Sequence, residues 1–513
     1  MDKPGLLKKE EAILYSSQYD LPVTGEGGGE YTMPDYYPEI RRLVSVSAKA
    51  LPDSKFLSGN LLEFGGTIAF SILYIGDDGG LVCVPYACEY SGNSQLPSEP
   101  QGGGAAIHVE TVAEAPQCRV LAPRTVSLKT RLRTRIMGDE ANVYTCRAID
   151  TDGERIGTED EGTLETLPGT LHTVKRGYAF ATGSVSGELR ERAGTKPISC
   201  DGTVNVTDAT AQKDAVHVKG EICIHCLALA PDGLYTVLRG CIPFEEVMPA
   251  EGAKEGDAVT AWGRVASVSI QADEETGVIR TEAEYDLNGL WSRTAEVPVT
   301  QDIYSTEYDL EAKHSDYNVL SLLCCTNGAL SLNGSGQRQS KAGANDYLIE
   351  ICAQPVVEKV ECADHKLLFC GNCNIKALIA SDGDVVSEEF VIPIKYEQRA
   401  QEDVAPQDIV WQAVCSVSDA SGRLEGDRIH ASVELSIAAN AAKKTQHSPV
   451  TEAIIDKYAK HDAEDSCIRI CFPEAGQRVW EIAKRCGADG AEVERINKIQ
   501  RDALCDGRPL IIK

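Results

Sequence analysis

The sequence predicts a mainly β protein, built from three repeated antiparallel β modules and closed by a small βααβ domain. Three stretches share one pattern, in which apolar residues alternate on both sides of a central glycine, at Gly66, Gly220 or Gly371. Alternation with a period of two is typical of a strand with one buried face. An Asp-Gly pair follows each stretch and favours a hairpin turn, because glycine accepts a positive φ without a Cβ clash. The repeat therefore indicates three copies of one unit.

Each copy continues into a second half. A return strand follows each turn, Trp262 and Trp411 follow in the second and third copies, and the closing strands alternate again, as over 429–437. Each unit is thus predicted to be a module of roughly 100 residues, folded as a small sandwich or barrel-like sheet. We place an N-terminal arm with the first module at 1–150, the second module at 171–312 and the third at 346–438.

Softer segments separate the predicted modules. Residues 153–170 are acidic and glycine-rich, and 327–345 have the composition of a loop. Residues 439–466 are polar and charged and are expected to form a linker, with a short helix possible around 451–460. The run from Gly25 to Gly29 is expected to be a flexible loop.

Composition excludes several classes of function. The chain has 513 residues and a formal net charge of −28, so its surface repels phosphate backbones and anionic lipids. We expect no nucleic-acid partner and no direct membrane insertion, since no apolar run reaches about 18 residues. The N-terminus lacks the apolar stretch of a secretory signal, so we expect the protein to stay in the compartment that makes it.

The 19 cysteines are scattered through the chain, which favours reduced and buried thiols over a dense disulfide framework. Two CxxC pairs, Cys223 with Cys226 and Cys370 with Cys373, are typical of zinc sites. Both pairs fall inside predicted strands, where positions i and i+3 face opposite sides. Core packing is therefore favoured, and no metal or cofactor is predicted.

No enzyme signature is visible in the sequence. The glycine run at 25–29 lacks the Lys-Ser/Thr of a phosphate loop. The acidic run at 159–161 is expected to be solvated, and the nine histidines do not cluster with Ser or Cys in a nucleophile motif. The sequence therefore favours a non-enzymatic protein.

The last segment, 467–513, changes character. It predicts a strand over 467–472, a turn at Gly476, a helix over 479–486 ended by Gly487, a second helix capped by Asp489, and a closing strand. This order and its residues resemble a LysM domain. The matching positions are Gly476, Trp480, Ile482, Ala483, Ile496, Asn497, Gly507, Leu510 and Ile512.

The LysM resemblance implies a shallow groove between the first turn and the loop after the second helix, where the family holds N-acetylglucosamine chains. Gln477 and Arg478 stand where the family usually has Asp and Thr, and Lys513 replaces its final Pro. The occupant is therefore either a protein or a glycan. For Trp480, packing in the small core and exposure as a binding hot spot both remain open. The candidate groove residues are Glu474, Gly476, Gln477, Arg478, Trp480, Asn497 and Ile499.

The segment from Met33 to Ser47 begins Met-Pro-Asp-Tyr-Tyr-Pro-Glu-Ile and resembles the start of the spore-coat-associated SPOCS domain. Three SPOCS-like modules with a terminal LysM domain resemble the SipL-like family of coat morphogenetic proteins from endospore-forming bacteria. That resemblance implies that the LysM domain binds a SpoIVA-like coat-basement ATPase, on the mother-cell side of the forespore surface. Other coat proteins or a second copy of the chain are further possible partners.

Three functions follow from these observations. The leading hypothesis is a structural scaffold of the spore coat that captures a protein partner through its C-terminal domain. The main alternative is a peptidoglycan-binding protein of the spore envelope. A cell-wall hydrolase with a LysM anchor is the third, and it lacks a Cys-His or His-Asp site in the sequence.

Overall fold

The fold is mainly β, with two short helices near the C-terminus, which confirms the predicted fold class. It is known from a computed structural model, which describes residues 12–97, 107–273, 275–343, 345–381, 384–400, 402–461, 468–474, 476–500 and 503–512. Among these residues, no helix has both the length and the apolar character needed to cross a membrane.

The first module consists of two antiparallel sheets. Its described strands are β1 (Ala12–Thr32), β2 (Ile40–Ser58), β3 (Leu61–Gly76), β4 (Leu81–Gln95), β5 (Ile107–Ala113), β6 (Gln117–Ala122) and β7 (Thr125–Tyr144). The first sheet has the order β2-β3-β4. In the second sheet β7 is central, with β1 along one edge and β5 and β6 along the other.

The other two modules repeat this arrangement. Strands of the second module are β9 (Leu164–Arg190), β10 (Lys196–Gln212), β11 (Ala215–Leu229), β12 (Tyr235–Pro249), β13 (Ala258–Asp273) and β14 (Val278–Ser305). Those of the third are β16 (Tyr317–Gln337), β17 (Tyr347–Ala363), β18 (Lys366–Ser381), β19 (Asp384–Arg399), β20 (Ile409–Glu425) and β21 (Arg428–His447), with a short 3-10 helix at Pro406–Asp408. Their sheet orders are β10-β11-β12 with β13-β14-β9, and β17-β18-β19 with β16-β21-β20.

The central glycine of each repeat has one physical explanation. Gly66, Gly220 and Gly371 lie in the middle strand of a first sheet, each opposite a β-bulge in the preceding strand. A Cβ at any of these positions would collide with a backbone carbonyl oxygen of the bulged strand. Only glycine allows this approach, so the repeated pattern marks a repeated bulge.

The two sheets of each module pack face to face on an apolar core. In the second module, Val218 and Ile222 of β11 share a cluster with Ala283, Tyr285 and Leu287 of β14, and all five are buried. The hairpin turns that contain Gly79 and Gly233 close with the same pair of backbone hydrogen bonds. The two glycines have φ values of +85° and +83°. The third predicted turn, Asp382-Gly383, lies outside the described residues.

Two segments expected to be loops are strands. Residues 327–337 belong to β16 and pair with β21, and 25–29 belong to β1 and pair with β7. Several of their glycines lie under large side chains of the opposite sheet, as Gly334 does under Ile392 and Gly336 under Phe390. Glycine is used here to make room for those side chains, so its abundance did not indicate a loop.

The predicted linker 439–466 is also largely strand, since β21 continues to His447 and β22 covers Val450–Lys460. β22 lies between β15 (Tyr308–His314) and β8 (Arg147–Asp150). We call this three-stranded unit the junction sheet, because each of its strands follows the last strand of one module. The helix α1 (Thr158–Glu161) contains the acidic run, in which the Asp160 carboxylate lies 3.4 Å from the Lys457 Nζ.

The three modules contact one another around a shared apolar cluster. Leu73, Leu227 and Leu378 each lie seven residues after a repeat glycine, and all three are buried in that cluster. Ion pairs also join the modules. They are Arg42 with Asp384, Lys49 with Asp201, and Arg239 with Asp419.

The C-terminal domain has the predicted order of strand, helix, helix and strand. Its elements are β23 (Arg469–Cys471), α2 (Val479–Cys486), α3 (Gly490–Asn497) and β24 (Leu510–Ile512), with β23 and β24 antiparallel. As predicted, Gly487 ends α2 in the left-handed conformation, and the Asp489 carboxylate caps α3 by accepting from the backbone N–H groups of Ala491 and Glu492. The first residue of the segment, Cys467, and the last, Lys513, lie outside the described residues.

Candidate functional site

The two loops that would form the predicted groove meet in the structure. The Gly476 N–H donates to the Cys505 carbonyl at 3.0 Å, and the Cys505 N–H donates to the Gln477 carbonyl at 2.7 Å. Gly476 has a φ of +94°, which favours glycine at this turn. The side chains of Glu474 and Arg478 are exposed beside it. The turn and the loop after α3 therefore form one continuous surface.

Asn497 and Ile499 have mainly structural contacts. The Asn497 amide nitrogen donates to the carbonyls of Ile511 and Val493, at 2.8 and 2.9 Å, and its oxygen accepts from the Ile511 N–H at 2.8 Å. This side chain fastens α3 to β24. Ile499 is partly buried and packs against the core of the domain. Both residues therefore stabilise the fold beneath the predicted groove.

Trp480 is buried, with 2% of its surface exposed. Its indole Nε1–H donates to the Asp302 carboxylate at 2.7 Å, and its ring makes an edge contact with Tyr304, with centroids 4.8 Å apart. Both partners belong to β14 of the second module. Of the two interpretations open for Trp480, core packing is the one seen, and Leu167 and Tyr304 of the second module take part in that core.

Asp302 holds two groups of the C-terminal domain at once. One carboxylate oxygen accepts from Trp480, and the other lies 2.7 Å from the Lys484 Nζ. Burial opposes the ionisation of Asp302, but the hydrogen bonds and the charge of Lys484 outweigh it and hold its pKa below the usual value. The Tyr304 hydroxyl donates to the Ala488 carbonyl at 2.7 Å. We call these contacts the docking interface.

An exposed apolar face lies elsewhere on the same domain, outside the groove predicted from the sequence. Ile468, Ile470 and Phe472 alternate along the segment that contains β23, and Ile511 pairs with Ile470 across the small sheet. Their exposed fractions are 67%, 60%, 76% and 41%. Four large apolar side chains on one face of so small a domain are unusual for a surface that contacts only water. The signal available in the sequence was apolar residues at the outward positions of the alternation.

A second candidate region is a central cavity of about 2260 Å³, lined by residues from all three modules. Two ion pairs of its lining join different modules, Lys49 with Asp201 and Arg239 with Asp419. At one side, the His108 ring stacks on Tyr178 with centroids 4.9 Å apart, and burial lowers the pKa of His108 to about 3. These two ion pairs therefore link modules across the cavity, and His108 is neutral at physiological pH.

Comparison with known families identifies one part of the chain. Residues 196–273, from β10 through β13, match the family described as "SipL, SPOCS domain". The second module contains a SPOCS domain. This match covers the whole first sheet of the module and one strand of its second sheet, and it points to a protein of spore coat morphogenesis. No curated protein and no solved structure matches the chain.

The SPOCS domain contains a disulfide, which joins Cys223 of β11 to Cys241 of β12. The expectation of reduced thiols is wrong for this pair, because the register of the two strands places the residues directly opposite each other. The carboxylate of Glu221 lies near both sulfur atoms, but a disulfide leaves no thiolate to bind a metal. Cys226 is buried on the other face of β11, as the strand prediction required.

Proposed function

We propose that this protein is a non-enzymatic scaffold of the spore coat. Its SPOCS-like modules form a rigid body, and its LysM-like C-terminal domain binds a SpoIVA-like coat-basement ATPase at the forespore surface, facing the mother-cell cytoplasm. The observation that carries the coat assignment is the SPOCS domain at residues 196–273. The roles proposed for the other modules and for the C-terminal domain are supported by the geometry of those parts.

Two features support a SPOCS-like nature for all three modules. The first and third modules have the strand order of the second, with the last strand central in the second sheet. Gly66 and Gly371 also face the same kind of bulge as Gly220, which lies inside the matched region. A shared bulge at a shared position is a specific feature, because it changes the strand twist and requires glycine opposite it.

The apolar face of the C-terminal domain favours a protein partner over a glycan. Protein interfaces have an apolar centre surrounded by polar groups, and Phe472, Ile470 and Ile511 could supply that centre. Gln477 and Arg478 lack the carboxylate and hydroxyl that the LysM family has at this turn. The Asn497 amide is already used within the domain. The same partner could contact the turn at Glu474 and Arg478.

Binding by this face can be tested with the full-length chain and the purified coat-basement ATPase of the same organism. We expect Phe472→Glu to weaken binding at least tenfold, because it places a charge at the centre of the proposed contact. Tyr458→Glu is the matched control, since Tyr458 is an exposed aromatic residue of β22, with 85% of its surface exposed. Surface plasmon resonance would give both dissociation constants.

Two outcomes would count against the proposal. Equal losses for Phe472→Glu and Tyr458→Glu would remove the C-terminal face from the interaction. Co-sedimentation of the wild-type protein with insoluble peptidoglycan, without measurable binding to the ATPase, would favour the peptidoglycan-binding alternative.

A further inference from the structure

Two thiols of the C-terminal domain lie close together, although they belong to different elements. The Sγ atoms of Cys471, at the end of β23, and Cys486, at the end of α2, are 3.6 Å apart. A disulfide bond is about 2.05 Å long, so the sulfur atoms would need to approach by roughly 1.5 Å. Both side chains are partly buried against the apolar core of the domain. We infer that Cys471 and Cys486 are a modification site that closes to a disulfide within the folded domain.

The bond would fix the part of the domain with the fewest anchors. β23 has three residues and pairs only with β24 among the described strands. The segment around it follows residues 462–467, which lie outside the described part, and carries the exposed side chains of Ile468, Ile470 and Phe472. The helix α2 is held much more firmly, through Trp480 and Lys484 at the docking interface. A bond from Cys471 to Cys486 would therefore tie β23 to the docked part of the domain.

The reaction needs an oxidant, and a low-molecular-weight disulfide is sufficient. One cysteine thiolate attacks a sulfur of the reagent, whose S–S bond breaks and releases one small thiol. The second cysteine thiolate then attacks the protein sulfur of this mixed disulfide and releases the other small thiol. The two cysteines lose two electrons and two protons, and the reagent gains them. Either cysteine can make the first attack, because their sulfur atoms are close enough for the other to complete the exchange.

Cys505 provides a matched control in the same small domain. It is buried in the same apolar cluster, with 5% of its surface exposed. A Cys505→Ser variant thus tests the effect of losing one core thiol without touching the proposed pair. The inference concerns chemistry within the domain and stands or fails separately from the binding of any partner.

The experiment uses the full-length protein, incubated with increasing oxidised glutathione and then alkylated and digested without reduction. Mass spectrometry is expected to find a Cys471–Cys486 linked peptide at low oxidant, in the wild type and in Cys505→Ser but in neither Cys471→Ser nor Cys486→Ser. Hydrogen exchange of the β23 amides should slow by roughly a hundredfold in the oxidised wild type.

The wild type alone also decides the question, in case a serine variant does not fold. Differential alkylation should show Cys471 and Cys486 losing reactivity together and in equal amounts. The inference is overturned if both remain separately alkylated at high oxidant, or if either one links instead to Cys467 or Cys505.

Discussion

At the scale of single residues, Asp302 decides how the C-terminal domain is held. Its carboxylate accepts hydrogen bonds from both the Trp480 indole and the Lys484 ammonium group. A carboxylate that accepts hydrogen bonds from two donors in a partly buried site contributes more to stability than an exposed ion pair does. The domain therefore depends on a charge that lies more than 170 residues earlier in the chain.

The lowered pKa of Asp302 gives this contact a pH dependence. Its stabilising effect is complete above the ordinary carboxyl pKa of about 4 and is lost as the pH falls through the lower pKa of the folded state. We expect Asp302→Asn to unfold at a lower temperature than the wild type at pH 7. That difference should shrink as the pH falls below about 4, because the wild-type carboxyl becomes neutral.

Differential scanning calorimetry of both proteins between pH 7 and pH 3 checks this expectation. Comparison with Asp302→Asn cancels the titration of other carboxyl groups. A difference that stays constant over this range would show that the charge of Asp302 contributes nothing.

At the scale of elements, the strands were predictable and their partners were not. Alternation around Gly220 predicted β11 because one buried face leaves a period of two in the sequence. The glycines of β16 led to the prediction of a loop, although the segment is a strand. They are needed there because large side chains of the opposite sheet pack against them. The βααβ order and the caps Gly487 and Asp489 followed from local signals. The contact of Trp480 with β14 left no local trace, so sequence reasoning could not find it.

The C-terminal domain also completes its core with another element. Leu167 of β9 and Tyr304 of β14 belong to the same buried cluster as Val479, Trp480 and Ile482. A domain of fewer than 50 residues has a small core of its own, so the side chains of Leu167 and Tyr304 are expected to add to its stability. The domain is thus expected to be less stable when it is not in contact with the second module.

We expect Tyr304→Ala to lower the free energy of unfolding of the C-terminal domain by at least about 2 kcal/mol, since it removes a buried ring and a hydrogen bond to Ala488. Hydrogen exchange in α2 and α3 should rise strongly, while β10–β12 stay protected. Tyr458→Ala is the control, because that ring is exposed. Unchanged exchange in α2 would mean that the domain is stable without docking.

At the scale of the whole molecule, three similar modules form one body with two shared regions. The junction sheet is formed by the strands that follow the three modules, and the cluster at Leu73, Leu227 and Leu378 contains equivalent residues from each module. The sequence indicated the repeat, but it carried no information on how the copies pack. These contacts link residues more than 100 positions apart, which no pattern in a short window reports.

The shared cluster predicts coupled stability. We expect Leu227→Ala to destabilise the protein by about 2–5 kcal/mol and to raise hydrogen exchange in β3 and β18 as well as β11. Leu234→Ala is the control, because Leu234 is exposed in the turn after β11. Exchange that rises in β11 alone would show that the modules are stabilised independently.

The central claim is that the β modules present a C-terminal domain that attaches the protein to the coat through an apolar face. The most direct measurement is the position of fluorescent fusions in sporulating cells, for the wild type, Phe472→Glu and Tyr458→Glu. We predict a shell around the forespore for the wild type and Tyr458→Glu, and diffuse mother-cell fluorescence for Phe472→Glu. A forespore shell for Phe472→Glu, or diffuse fluorescence for the wild type, would contradict the claim.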